Sequence, residues 1–275
     1  TTATAFETID VTLDDGVCTI TMQRPDVLNA FDNTLTTELA KALRDASRNK
    51  EVRVVVITGS GRAFSSGQDL ADLKAKYVPG HEPHLKEDLK KRYDPIVKAI
   101  HTMEKPVIAA VNGYALAGAC ELVQVCDIKI ASDRAILGEP EIRAGVGPPF
   151  MITPFSVGLA KAKELLLTGD TIDAYEAERL GMVGRVVPHD QLMDECLRTA
   201  KKITRLSQLG VKMSKLAVNH ALEGMGFLST IKYNLELMTQ FDTTMSPDQE
   251  EFNVIRDEKG LRAALDWRDA RFKDL

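Results

Sequence analysis

The sequence lacks most of the signals that assign a chain to a functional class. No apolar run approaches the roughly 20 residues a membrane helix needs, so no membrane span is expected. The opening stretch TTATAFETIDV has neither a basic start nor an apolar centre and does not resemble a signal peptide. Cys18, Cys120, Cys126 and Cys196 show no CxxC spacing and sit in apolar segments. They read as buried, reduced thiols, in keeping with a cytoplasmic location. A formal net charge of −5 offers no general basic face, so nucleic acid is not an expected partner. GxGxxG, GxxxxGK[ST], GxSxG and HExxH are all missing, and HEPH (His81–His84) has the wrong spacing for two ligands on one helix face. The histidines are scattered and read as surface residues. No metal is implied, and nucleotide-fold and serine-hydrolase chemistry have no support.

What remains is a chain of 275 residues, 44% hydrophobic and 27% charged, as expected of a globular enzyme. FETIDVTLDDGVCTITMQRP reads as a hairpin turning at Asp14-Asp15-Gly16. Leu35, Leu39, Leu43 and Ala46 recur at helical spacing between Thr34 and Lys50. RVVVITG (Arg53–Gly59), KPVIAAVNG (Lys105–Gly113) and DIKIAS (Asp127–Ser132) are continuous apolar runs, the mark of strands covered on both faces. Helical or looping segments separate them, so the fold class is α/β. The polar stretch Tyr77–Arg92 reads as a surface loop entering a helix. From Gln191 the chain reads as helix after helix, with stops near Gly210, Gly224–Gly226 and Ser246-Pro247. That shift puts a boundary near residue 200: a core over 1–200 and a helical region over 201–275.

Two Gly-rich turns each follow an apolar strand. One is GRAFSSGQDLADL (Gly61–Leu73), and the other is GYALAGACELVQVCD (Gly113–Asp127). A strand that ends in small residues and opens a helix leaves backbone N–H groups free, and the helix dipole adds to their pull on negative charge. Two such ends on adjacent strands make an oxyanion hole. Glu121 then falls in the first turn of the helix supplying one donor. Glu139 and Glu141, in GEPEIRAG, are equal candidates for a second carboxylate. Two carboxylates beside an oxyanion hole suit acid–base work next to a polarised carbonyl. Leu116, Ala119, Leu122 and Ile142 supply the apolar surroundings that would keep one carboxyl protonated.

Several blocks in order resemble the crotonase (enoyl-CoA hydratase/isomerase) superfamily: ITMQRPDVLNAF, VVVITGSGRAFSSGQDL, KPVIAAVNGYALAGACELVQVCDIKIAS and LTGDTIDAYEAERLGMVGRVVP. The resemblance implies a crotonase-type spiral of ββα turns with a helical C-terminal trimerisation region, and a homotrimer or homohexamer. It implies an acyl-CoA thioester substrate and no cofactor, coenzyme A being part of the substrate. It places the oxyanion donors on the amides of Gln68 and Gly118 and the acid/base pair on Glu121 and Glu141, so Glu139 drops out. Ala63, Ser66, Gly67, Leu70, Leu116, Pro140 and Pro149 are expected to contact the substrate, and the basic contact to coenzyme A is left open among residues such as Arg24, Arg62 and Lys74. The implied reaction is hydration of a 2-enoyl-CoA, as in β-oxidation of fatty acids. Isomerisation or another enolate reaction, thioester hydrolysis, non-catalytic acyl-CoA binding and an RNA-binding or scaffold role stay open. One departure stands out. Family hydratases continue after the second glutamate with a Pro-Gly step whose glycine N–H faces the reacting water. Here the chain reads EIRAGVGPPF, and Pro149 has no N–H to give.

Overall fold

The computed structural model describes residues 6–70, 87 and 94–274. Strands β1 (Ile9–Asp14) and β2 (Val17–Met22) form the expected hairpin, with Asp14 opposite Val17. Asp15 and Gly16 both take positive φ (45° and 80°), the conformation that makes Asp-Gly a hairpin turn. Helix α1 (Asn33–Arg48) starts where the Asp32 side chain accepts from the Leu35 amide at 2.8 Å. Its Leu35, Leu39, Leu43 and Ala46 stripe is buried.

Strand β3 (Val54–Gly59) is buried at all six positions, and β5 (Val107–Val111) at all five. With β7 (Ile128–Ser132) and β10 (Arg185–Val187) they complete a sheet of order β1-β2-β3-β5-β7-β10, parallel beyond the first pair. A second sheet, β4-β6-β8-β9, holds β4 (Ala63–Ser65), β6 (Tyr114–Leu116), β8 (Ile136–Gly138) and β9 (Thr171–Asp173). Strands β4, β6 and β8 each follow β3, β5 and β7 after a short turn, which is the ββ unit of the spiral. Two buried amides hold the first corner. Asn29 Nδ2 donates to the carbonyls of Ser60 and Ala63, both at 2.9 Å. Asn112 Nδ2 donates to those of Gly61 and Ala63, at 3.0 and 3.1 Å. Carbonyls leaving one sheet for another would otherwise be buried without partners.

Helices α2 (Asp94–Thr102), α3 (Gly118–Val125), α4 (Thr153–Val157), α5 (Leu159–Thr168) and α6 (Ala174–Leu180) surround these strands. Helix α7 (Leu192–Thr204) lays Leu192, Cys196, Ala200 and Ile203 on Val17, Val54, Val56, Ile108, Ala110 and Ile130. Residue 200 therefore lies inside a helix that packs on the sheet, and the chain breaks at Arg205–Ser207 instead. Helices α8 (Gln208–Gly224), α9 (Phe227–Thr244), α10 (Pro247–Lys259) and α11 (Leu261–Ala270) complete the chain. Gly210 is not a stop. It sits in the first turn of α8, where its amide bonds the Ser207 hydroxyl and lost helix propensity costs little. Lys215 pins α8 to the core, reaching Asp127 at 2.7 Å and the carbonyls of Ile100 and Lys105 at 2.8 and 3.1 Å.

All four cysteines are free and buried. His101 is not a surface residue. It is buried against Phe227, its Nε2 3.0 Å from Glu223. Among the described residues no helix is long and apolar enough to cross a membrane. Most of the predicted loop Tyr77–Arg92, with the HEPH motif and Lys74, lies outside the described residues.

Candidate active site

The two Gly-rich turns meet. Gly67 has φ +84°, and a Cβ there would lie 2.6 Å from Ala117 Cβ, 2.7 Å from the Leu116 carbonyl and 3.4 Å from the Gly118 nitrogen. Phe31 clamps the first turn on both sides of Gln68, donating to the Gly67 carbonyl at 2.7 Å and accepting from Asp69 N at 3.1 Å. In an extended chain alternate amides face opposite ways, so Gln68 N–H faces away from Phe31. It donates to no acceptor among the described residues. Gly118 opens α3, and its N–H is one of the helix's unpaired donors. Before it, Ala117 holds φ 56° and ψ −137°, a conformation rare for a residue with a side chain, while its amide bonds the Gly138 carbonyl at 2.8 Å. Gln68 and Gly118 both line a cavity of about 530 Å³.

Four carboxyls gather near this cavity, two of them, Glu141 and Asp242, on its wall. Glu121, on α3, is fully buried and accepts from Phe150 N at 3.0 Å and Ile152 N at 3.2 Å. Glu139 is buried beside it, accepting from the Thr153 hydroxyl and, at 3.5 Å, from Gln124 Nε2. Glu141 comes from the 3₁₀ turn Pro140–Ala144 and lines the cavity, both its carboxyl oxygens buried without a hydrogen-bond partner. Asp242, from α9, lines the cavity too and accepts from Gly147 N at 3.2 Å.

Burial dominates their chemistry. It pushes Glu121 well above the usual carboxylate range, with the charges of Glu139 and Glu141 adding to it. The Phe150 and Ile152 amides pull the other way, and burial outweighs them. Glu141 is raised by burial and then by the charge of Glu139, with Asp242 adding to it. Burial also lifts Glu139 to about 7, against the pull of Thr153 and Gln124, and Asp242 to about 7.

This has a consequence for stability. Glu139 and Asp242 keep protons in the folded chain up to about pH 7, whereas their ordinary values are 4.5 and 3.8. Between those limits the unfolded chain binds fewer protons, so stability is expected to fall as pH rises across them. Urea midpoints measured from about pH 5 to about pH 8 should show the fall, and Glu139→Gln should lessen it. A midpoint that rises across that window in the parent chain would contradict the protonation pattern.

A profile of the enoyl-CoA hydratase/isomerase family matches residues 12–274. The chain belongs to this family. A probable enoyl-CoA hydratase of Rhizobium meliloti is 37% identical over 98% of this chain and 99% of its own. The crotonyl-CoA hydratase of Syntrophomonas wolfei is 34% identical over 98% of both. The solved enoyl-CoA hydratase/isomerase of Xanthobacter autotrophicus superposes with a TM-score of 0.93 at 39% identity, covering 97% of this chain and 99% of that one. The crotonase-type architecture inferred from the sequence blocks is thereby shown.

In this family member, the cavity wall takes in Gln68, Gly118, Glu141, Ser66, Leu70, Leu116, Pro140 and Pro149 of the residues marked from the sequence. Glu121, Gly67 and Ala63 are not on the wall. Glu121 turns to the amides after Pro149. Gly67 packs on Ala117, and Ala63 is a buried strand residue whose carbonyl serves the corner asparagines. Arg62 lines the cavity, whereas Arg24 is engaged by the Ala30 carbonyl and, at 3.1 Å each, by Asp32 and Asp69. Ile142 is 40% exposed and does not shield the carboxyls; Phe150 and Ile152 are buried around Glu121 instead. Sequence reasoning missed Asp242, because an acid in an amphipathic helix 101 positions after Glu141 carries no local signal. It also set Glu139 aside, although GEPE places two acids one residue apart and both end up buried or cavity-facing.

Proposed function

We propose that this chain is an enoyl-CoA hydratase, a hydro-lyase that adds water across the α,β double bond of a 2-enoyl-CoA. The observation that carries this reading is the shared cavity wall: two turn amides, Gln68 and Gly118, stand with a carboxyl, Glu141, whose oxygens have no protein partner. The thioester oxygen is held between the two amides, so charge moving onto it as the enolate forms meets preorganised donors. Polarisation makes Cβ electrophilic. One carboxyl takes a proton from water as its oxygen attacks Cβ, and the other delivers a proton to Cα. Glu141 is the member facing substrate. Glu121 stands behind it, its carboxyl raised in part by the charge of Glu141, and acts with it on one water. Phe150 N–H, the first amide after the double proline, holds Glu121 where the family pattern has a glycine amide facing water.

The substrate brings its own coenzyme A and no further cofactor enters this scheme. The relatives' names support it, crotonyl-CoA hydratase among them. We place the protein in the cytoplasm as a homotrimer or homohexamer. Exposed apolar side chains along α8 and α9, such as Leu209, Val218 and Tyr233, support assembly through the helical region. Purified protein should consume crotonyl-CoA or a longer 2-enoyl-CoA, read as lost absorbance of the conjugated thioester. Silence across a panel of chain lengths and branches would discard hydration.

One observation favours a second reading. Of the two expected glutamates only Glu141 lines the cavity, and a single carboxyl suffices to shift a double bond between the 3- and 2-positions. A 3-enoyl-CoA would then gain absorbance in the same assay while a 2-enoyl-CoA stays unchanged.

A further inference from the structure

The cavity wall has two unlike parts. Asp26, Val27 and Arg62 are exposed, and a bulky coenzyme A can leave along them. Met238 of α9 and Leu261 and Leu265 of α11 are part-buried. An acyl chain whose carbonyl rests on Gln68 and Gly118 has this apolar part of the wall to pack against. Apolar walls suit an alkyl chain, yet Asp242 stands among them, only 3% exposed.

That carboxyl is held in place. Asn234, Met238 and Asp242 follow one another at intervals of four along α9 and so share a face. Asn234 Nδ2 donates to the Pro148 carbonyl at 2.8 Å, and Asp242 Oδ1 accepts from Gly147 N at 3.2 Å. Met238 lies so close that a Cβ on Gly147 would meet its sulfur at 1.8 Å. Helix and loop are locked together, so Asp242 stays at the cavity wall. Its Oδ2 accepts no hydrogen bond from the described residues.

A buried carboxyl with one weak donor is costly, and an alkyl terminus would remove the remaining water without replacing its bonds. A hydroxyl on the acyl chain would donate to Oδ2 and make the burial acceptable. An acyl carboxylate would not, because it would bring a further charge into a space where burial already opposes charge on Asp242 and Glu141. Arg268 lines the cavity too, but its guanidinium is drawn to Asp269 at 2.8 Å. We propose that the wall formed by α9 and α11 selects a 2-enoyl-CoA whose chain carries a hydroxyl beyond Cβ, with Asp242 as the acceptor that recognises it. This rests on the acyl-CoA reading of the cavity, and it names the substrate class for it.

Two measurements separate the inference from the hydratase reading. Binding of hexanoyl-CoA and 6-hydroxyhexanoyl-CoA, saturated esters that cannot react, is compared by calorimetry. Turnover of hex-2-enoyl-CoA, its 6-hydroxy form and the matching 6-carboxylate is compared as kcat/KM. The hydroxyl form should bind and react about 10- to 100-fold better than the alkyl form, with the carboxylate poorest. Asp242→Leu should reverse the preference between hydroxyl and alkyl chains. Equal or better binding of the alkyl ester, or an equal or better kcat/KM for the carboxylate, with the parent protein overturns the inference, whether or not any variant folds. Tighter binding of the hydroxyl ester with no turnover of any enoyl-CoA upholds it and discards hydration. If neither saturated ester binds, both readings fall.

Discussion

Glu141→Gln is expected to lower hydration of a 2-enoyl-CoA by about 10²- to 10⁴-fold, chiefly in kcat, with KM little changed. The substitution keeps the shape of a side chain whose carboxyl oxygens meet no protein donor, so substrate binding loses little. What it removes is the group that exchanges a proton with the reacting carbon or water. Glu121→Gln should cost a similar factor, because in the proposed reaction it is the second member of the acid–base pair. Neither change should weaken the fold. Each removes a buried acid that burial and its neighbours already oppose in the charged form, so the thermal midpoint should hold or rise. Rates and melting curves on the two variants decide this. If Glu121→Gln keeps full double-bond migration while Glu141→Gln loses it, the single-carboxyl reading wins.

The second large effect is expected from a residue that touches no substrate. Gly67→Ala puts a methyl 2.6 Å from Ala117 Cβ and 2.7 Å from the Leu116 carbonyl, at φ +84°. No flexible side-chain end is there to give way, so the two turns must separate. In the proposed reaction the Gln68 and Gly118 amides, which line the cavity together, then no longer serve one thioester oxygen, and losing one donor of such a pair costs about 10²- to 10³-fold in kcat. The strained backbone should also cost about 1–3 kcal/mol of stability, read from urea unfolding. Full activity with a folded chain would mean that the spacing of these turns does not govern the rate.

Much of the fold was legible in order along the chain, for reasons that are local. Val54–Gly59 and Val107–Val111 are apolar apart from Thr58 and buried at every position, which only a strand covered on both faces tolerates. Asp15-Gly16 marks a hairpin because Asp and Gly accept positive φ. Where the reading went astray, a long-range contact had overruled a local preference. Gly210 looks like a helix stop, yet the Ser207 cap and the packing of α8 carry the helix through it. His101 looks like a surface residue until α8 brings Glu223 to it and α9 brings Phe227. Residue 200 marks a change of composition, but α7 runs across it because its apolar face belongs to the sheet.

By itself the sequence determined the α/β rhythm, the two Gly-rich turns and the presence of acids beside them, since backbone conformation and burial periodicity act over a few residues. The tertiary structure alone decided which acids share a cavity. It turned Glu121 toward Phe150 and Ile152, put Glu141 on the cavity wall with its carboxyl oxygens unpartnered, buried Glu139, and carried Asp242 in from the far end of the chain. The reason is physical: a carboxyl's role depends on the donors, charges and water around it, and those come from segments distant in sequence that only folding brings together.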